Sequence, residues 1–365
     1  MAEYRIIDAD GHVMELDSEL REFIGPPYKD LEWHQSYSFW PGLTMDGYLR
    51  SLRQKGGWAG GGDGPKANHW LDFLDKNKIE LTVLYPTQGL THGAIQDRDW
   101  AICMARAYND WLYHKFMAVS PRLVGVALLP IQDISEAVKE LRRCVNDLGM
   151  VGAVLPAVAP AGRLYSGPEF YPLWEEAQKL DCALAVHVGC LHQLGLDSFA
   201  TYYPVHALGH PFSLMIQAAG MLAHGVFDRF SKLRVAFLEG GATWVPFMMD
   251  RLDRSYHEGH KQLDLDGELI GGPKNDEKAS DYFKAQLHSG RIFVGFDCDD
   301  DSLSTAVAKG GLQSFLFGSD YPHEVFDAAK CRHEIDELLG RDDLTEADKA
   351  AVLGANAIRF YQPSL

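Results

Sequence analysis

Short apolar runs, four to eight residues long, alternate along the chain with longer stretches in which apolar residues recur three or four positions apart. Eight runs stand out: Tyr4–Ala9, Leu81–Pro86, Leu123–Pro130, Gly152–Ala157, Cys182–His187, Leu233–Leu238, Arg291–Phe296 and Phe315–Gly318. Each is apolar on both faces, the pattern of parallel strands covered on both sides. Helical spacing fills the intervals, over about 99–117, 133–143, 171–179, 213–226, 243–256, 279–286, 302–308, 325–339 and 346–360. Asp133 stands where a helix cap belongs, with Glu136 three residues later. Eight strands alternating with helices predict an α/β fold, a (β/α)8 TIM barrel over 1–365, in preference to a doubly wound sheet.

Two segments interrupt the rhythm. Residues 16–66, after the first strand, hold Pro26-Pro27, the aromatics Trp33, Tyr37, Phe39, Trp40 and Trp58, and the glycine-rich stretch Gly56–Gly64. The second runs from about Val188 to Pro211, after the fifth strand. Loops that follow barrel strands lie over the active face, so both are expected to cover a substrate, the first with an apolar or aromatic body. The glycines are not a phosphate-binding loop, because no Gly-Lys-Ser/Thr follows them.

The length, 365 residues, suits one barrel with insertions. A net charge of −17 supplies no basic face for phosphates, so nucleic acid is not an expected partner. No apolar run is long enough to span a bilayer, so no membrane role is expected. Cys103, Cys144, Cys182, Cys190, Cys298 and Cys331 show no Cys-x-x-Cys spacing and read as free thiols. With a strand beginning almost at once and no signal peptide before it, a cytoplasmic location is expected.

The chemistry lies at the strand ends. Asp8, Asp10 and His12 are spaced by two, and strand side chains alternate, so all three are expected to point the same way, inward toward the barrel mouth. His187 ends the fifth strand, Glu239 the sixth, Asp297 and Asp299 the seventh, and Asp320 and His323 the eighth. One histidine after a strand is more often a hydrogen-bonded structural residue than a ligand. Several histidines and carboxylates on one face converge where a metal ion could bind.

Three stretches then carry a resemblance: Ile6-Ile7-Asp8-Ala9-Asp10-Gly11-His12, the Val186-His187 strand end, and Gly318-Ser319-Asp320-Tyr321-Pro322-His323. With Gly354-Ala355-Asn356 near the C-terminus, they resemble the amidohydrolase-related family, in the branch that includes aminocarboxymuconate-semialdehyde decarboxylase and the hydroxybenzoate decarboxylases. The resemblance implies metal binding by Asp10, His12, His187 and Asp320, with Asp320 also orienting or deprotonating a water. The chain departs from the family in two places. Asp10 replaces the first residue of the usual His-x-His or Glu-x-His pair, and Glu239-Gly240-Gly241 stands where many relatives have His-x-Gly. In the decarboxylases that histidine is thought to assist proton transfer, and His210 is a candidate substitute.

With Glu239 included, the expected metal set is Asp10, His12, His187, Glu239 and Asp320, two imidazoles and three carboxylates. An oxygen-rich set favours Mn or Fe, with Zn as a further option. One or two divalent ions fit the donors, and Asp8, Glu15 and Asp297 are spare candidates for a second site. The leading expectation is hydrolysis of an ester, amide or thioester in a small apolar or aromatic carboxylate-type substrate, with Asp320, His210 and Glu239 as catalytic groups. Two alternatives stand beside it: a di-iron O2-dependent monooxygenase and a non-oxidative decarboxylase. The expected partner is a small molecule, and barrels of this kind often dimerise, which leaves a homodimer open.

Overall fold

The computed structural model describes residues 4–32, 38–42, 64–191, 194–259, 271–274, 277–323 and 328–362. Eight strands form one parallel sheet in sequential order: β1 (Ile7–His12), β2 (Leu81–Tyr85), β3 (Leu123–Leu128), β4 (Gly152–Pro156), β5 (Ala183–His187), β6 (Val235–Leu238), β7 (Ile292–Phe296) and β8 (Phe315–Phe317). The chain just beyond β8 closes the ring onto β1. The Asp320 N–H donates to the Asp10 carbonyl at 3.0 Å, and the His12 N–H donates to the Tyr321 carbonyl at 2.7 Å. Every strand residue is buried, as a parallel sheet between a packed interior and a helical layer requires. The (β/α)8 barrel is therefore present, with helices between successive strands.

The caps follow the sequence. The Asp133 carboxylate accepts the Glu136 N–H at 3.1 Å and starts helix Ile134–Asp147, and Asp97 does the same for helix Arg98–Leu112. Helix Ala67–Asn77 adds an element that the reading of periodicity did not name. The helix expected from 213 begins earlier and runs Tyr202–Ala223, so the second half of the insertion after β5 is helical. Pro211 lies inside it. Proline reads as a helix breaker because it lacks an N–H and crowds the preceding turn, but here buried contacts along the helix outweigh that penalty.

In the insertion after β1, Phe39 and Trp40 are buried, and the Phe39 carbonyl accepts the Trp100 indole N–H at 3.2 Å. Trp33, Tyr37, Trp58 and residues 56–63 lie outside the described residues. All six cysteines are buried free thiols. Among the described residues no helix is long and apolar enough to cross a membrane.

Candidate metal centre

β1 is not a regular strand. Asp8 pairs with Thr82 but Gly11 with Leu84, so three steps on β1 match two on β2. This bulge changes which side chains share a face. A Cβ on Gly11 would lie 2.5 Å from Trp70, on the helical layer, and 2.8 Å from Asp8 Oδ2. Asp8 therefore lies on the Gly11 side, while Asp10 and His12 face the barrel mouth. The expectation that Asp8, Asp10 and His12 share one face is corrected by that single extra residue.

Asp8 has a different task. Its carboxylate accepts the Thr82 hydroxyl at 2.7 Å, the Ser319 hydroxyl at 2.8 Å and the Ser319 N–H at 2.8 Å, joining β1, β2 and the end of β8. Glu15 is occupied likewise, accepting the backbone N–H groups of Thr87, Gln88 and Gly89 at 3.1, 3.0 and 2.9 Å. Neither joins the inward cluster, so as spare ligands for a second ion both are set aside.

The inward residues converge. His187 Nε2 lies 3.2 Å from Asp10 Oδ1, and His12 Nε2 lies 3.5 Å from the same oxygen and 3.3 Å from Asp320 Oδ1. Each of the two imidazoles is oriented from behind. His12 Nδ1 is 2.8 Å from the Pro86 carbonyl and His187 Nδ1 is 2.8 Å from the Val188 carbonyl. A carbonyl can only accept, so Nδ1 carries the proton and Nε2 is turned toward the cluster, the arrangement that prepares an imidazole for a metal. His12 Nε2 is fully buried and has no hydrogen-bond partner among the described residues.

Glu239 follows β6, the neighbour of β5, and Asp320 follows β8, beside β1. Both have left-handed backbone, with φ of 64° and 50°. That conformation is uncommon outside glycine and asparagine, and strain of this kind concentrates at functional sites. Gly318 makes room for the approach, since a Cβ there would sit 2.8 Å from the Cβ of Asp10. His323, which sequence reasoning left outside the ligand set, belongs to the cluster. Its Nδ1 is 2.9 Å from Asp320 Oδ1 and 3.8 Å from Glu239 Oε1, its Nε2 is 2.8 Å from the Thr87 hydroxyl, and its ring stacks on His12 at 4.0 Å. The signal available in the sequence was its spacing of three from Asp320.

Two overlapping groups result, and His12 belongs to both. Asp10, His12 and His187 form one, and His12, Glu239, Asp320 and His323 form the other, with ligand atoms within 4.8 Å of one another in each. The electrostatics favour a cation. Burial pushes the Asp10 and Glu239 carboxyls up. Burial opposes protonation of His187, but Asp10 and Glu239 outweigh it and hold that imidazole up at about 9. His323 is held up at about 10 in the same way, chiefly by Asp320. Burial and its histidine neighbours keep His12 well below its ordinary value, leaving a neutral ring with a free lone pair. Buried carboxylates, a partnerless inward nitrogen and ligand atoms this close fit a divalent ion.

His210 lies on helix Tyr202–Ala223, with its ring 4.1 Å from that of His206 and a hydrogen bond to the Glu239 backbone. It faces a cavity of about 170 Å³ that Glu239, Asp297 and Asp320 also line. All the expected site residues thus meet at one mouth, Asp10, His12 and His187 deep within it and His210 on its wall.

The amidohydrolase family model matches residues 7–362. The chain belongs to the amidohydrolase family. Among curated proteins, this family member is 29% identical over 307 residues to gamma-resorcylate decarboxylase of Rhizobium sp. (strain MTP-10005), spanning 80% of this chain and 86% of that protein. It is 25% identical over 291 residues to 2-amino-3-carboxymuconate-6-semialdehyde decarboxylase of Dictyostelium discoideum, spanning 80% and 75%. Among solved structures it resembles a dihydroxybenzoic acid decarboxylase from Polaromonas sp. JS666, determined with bound manganese and the inhibitor 2-nitroresorcinol. The TM-score is 0.69 at 22% identity, covering 98% of this chain and 97% of that one.

These relatives correct the leading functional expectation. They are carbon–carbon lyases, not hydrolases, so the hydrolytic reading of this amidohydrolase-family enzyme is withdrawn, whatever the family's label suggests. The decarboxylase alternative fits these relatives better. A carboxylate-rich ligand set constrains the metal far more than the reaction.

Proposed function

We propose that this chain is a divalent-metal-dependent carboxy-lyase that removes CO2, without oxidation, from a small aromatic or unsaturated carboxylic acid. The buried, partnerless Nε2 of His12, set among Asp10, His187 and Asp320, carries the reading. The decarboxylase relatives supply the reaction class. Asp10, His12, His187 and Asp320 would hold the ion, with Glu239 and His323 beside them. Manganese is favoured by the oxygen-rich donor set and by its presence in the similar Polaromonas enzyme. A bound ion supplies Lewis-acid neutralisation of the substrate's oxygens.

The side chains handle the proton. The bond from the substrate carbon to its carboxylate breaks, CO2 leaves, and the electron pair stays on that carbon. The carbon takes up the proton shared by Asp320 and His323, which lie 2.9 Å apart, and water restores it to the pair. Thr87, 2.8 Å from His323 Nε2, fixes the ring so that Nδ1 faces Asp320. His210 and Glu239 form the wall where many relatives place the sixth-strand histidine. His210 keeps the Glu239 backbone in place, and its imidazole replaces the missing one beside the cavity.

The test is CO2 release under anaerobic conditions, with 2,6-dihydroxybenzoate first in a panel of hydroxybenzoic and unsaturated acids. The manganese-loaded protein is expected to release CO2 from at least one acid and to stop after dialysis against a chelator. Asp320→Asn is expected to lose on the order of 100-fold or more in rate. No CO2 from any member of the panel would refute the reading.

A further inference from the structure

The loop after β2 touches two imidazoles of the metal centre. The Pro86 carbonyl is 2.8 Å from His12 Nδ1, and the next residue, Thr87, places its hydroxyl 2.8 Å from His323 Nε2. Thr87 meets the nitrogen of His323 that does not face Asp320, so a cation held by Asp320 leaves that contact in place. A hydroxyl both donates and accepts. While the ring carries both protons, its Nε2–H donates to the Thr87 oxygen, and it still does so once the Nδ1 proton has gone. With the proton on Nδ1 alone, the hydroxyl donates to Nε2 instead. Thr87 can therefore hold the ring through a full proton cycle, provided that its own position is fixed.

Glu15 supplies that fixed point. Its fully buried carboxylate accepts the Thr87 and Gln88 N–H groups on Oε2 at 3.1 and 3.0 Å and the Gly89 N–H on Oε1 at 2.9 Å. Hydrogen bonds to a carboxylate are about twice as strong as neutral ones. Gly89 permits the close approach, since a Cβ there would sit 3.0 Å from Glu15 Oε1. Threonine is branched at Cβ and stiff about χ1, so fixing its backbone fixes its hydroxyl. A separate tie, Gln88 Nε2 donating to the Glu15 carbonyl at 2.8 Å, joins the same two loops without touching Thr87.

Resting on the carboxy-lyase reading, we propose that Glu15 is a positioning residue for proton delivery: it anchors the Thr87 backbone so that the Thr87 hydroxyl keeps His323 Nδ1 turned to Asp320. Glu15 acts through Thr87 alone and holds neither metal nor substrate.

Nitrogen-15 NMR of histidine-labelled protein reads the ring without substrate. Zinc is loaded for this measurement because its filled d shell leaves the spectrum sharp. The His323 signals are assigned by their loss in His323→Asn. Glu15→Gln keeps the size of the side chain, but its NH2 meets N–H groups from which it cannot accept. It is expected to move the His323 Nδ1 and Nε2 signals, as Thr87→Val does. Gln88→Ala, which cuts only the separate tie, should lower stability in urea and leave those signals in place. In the CO2 assay of the manganese-loaded protein, Glu15→Gln and Thr87→Val should each lower kcat about tenfold with KM within about twofold. The double variant should be no slower than the slower single one, because both act through one ring. Thr87→Ser, which keeps the hydroxyl, should recover most of the rate. If Glu15→Gln does not fold, Glu15→Asp, which keeps the charge but withdraws it by one methylene, takes its place in both measurements. Unmoved His323 signals in the Glu15 variant, signals that move equally in Gln88→Ala, or losses that multiply in the double variant would each overturn the proposal. The two readouts separate it from the reading beneath it. Moved signals with no CO2 from any acid defeat the carboxy-lyase reading alone. CO2 release with unmoved signals and full kcat in the Glu15 variant defeats the role of Glu15 alone.

Discussion

Replacing Asp8 by alanine separates a structural carboxylate from a metal ligand within two residues of sequence. Asp8 is fully buried and accepts hydrogen bonds from the Thr82 hydroxyl and from both the hydroxyl and the N–H of Ser319. Asp8→Ala leaves those three donors, and the Asp10 N–H 3.3 Å from the same carboxylate, facing a cavity. A buried donor stripped of its partner costs roughly 1–3 kcal/mol, and the four share one acceptor group, so their costs overlap. The loss is expected at about 3 kcal/mol, enough to lower the denaturation midpoint clearly in a protein of ordinary stability. Asp8→Asn should lose only about 1 kcal/mol. Its amide oxygen can still accept the Ser319 N–H, while its NH2 donates to the two hydroxyls after they rotate. Urea denaturation of the metal-free protein measures the loss, and elemental analysis of the loaded protein measures bound manganese. The structure requires reduced stability with metal content unchanged. Lost metal with stability intact would refute the bulge argument and return Asp8 to the inward face.

Gly318→Ala tests the close approach of β8 to Asp10. Its Cβ would come within 2.8 Å of the Asp10 Cβ, so Asp10 must move. We expect weaker manganese binding by competition with a chelating dye, and a loss of about 1–3 kcal/mol in denaturation. A third prediction concerns pH. Glu140 is buried, accepts from Arg143 at 2.7 and 3.0 Å and from Asn109 at 2.8 Å, and has its pKa lowered from the usual glutamate value because these partners outweigh burial. A depressed folded value means that the network stabilises the fold above the unfolded glutamate pKa and is lost as pH falls through the folded one. Glu140→Gln should therefore be less stable by about 1–3 kcal/mol at neutral pH, with the gap to wild type closing in acid. A gap independent of pH would contradict the assignment.

The sequence by itself determined the barrel and the face that carries the chemistry. Runs that are apolar on both sides can only be strands covered on both sides, and ionisable residues just past such runs must lie at the mouth. Asp10, His12, His187, Glu239 and Asp320 were placed at the mouth on that basis, but choosing them as ligands took the family resemblance, and the structure sets them in two groups that share His12. Tertiary structure decided which neighbours each group faces. Alternation reports direction only while it is unbroken, and one bulge turned Asp8 away from its apparent partners. Glu15 looked equally available until three N–H groups of the loop after β2 converged on it. His323 entered the cluster because left-handed backbone at Asp320 folds the turn back on itself, a conformation that an aspartate does not announce. His210 reached the cavity on a helix that begins well before residue 213, where the periodicity placed its start. Local pattern records what a residue can do with its own backbone, whereas a metal centre is defined by distances between strands that only the closed barrel sets.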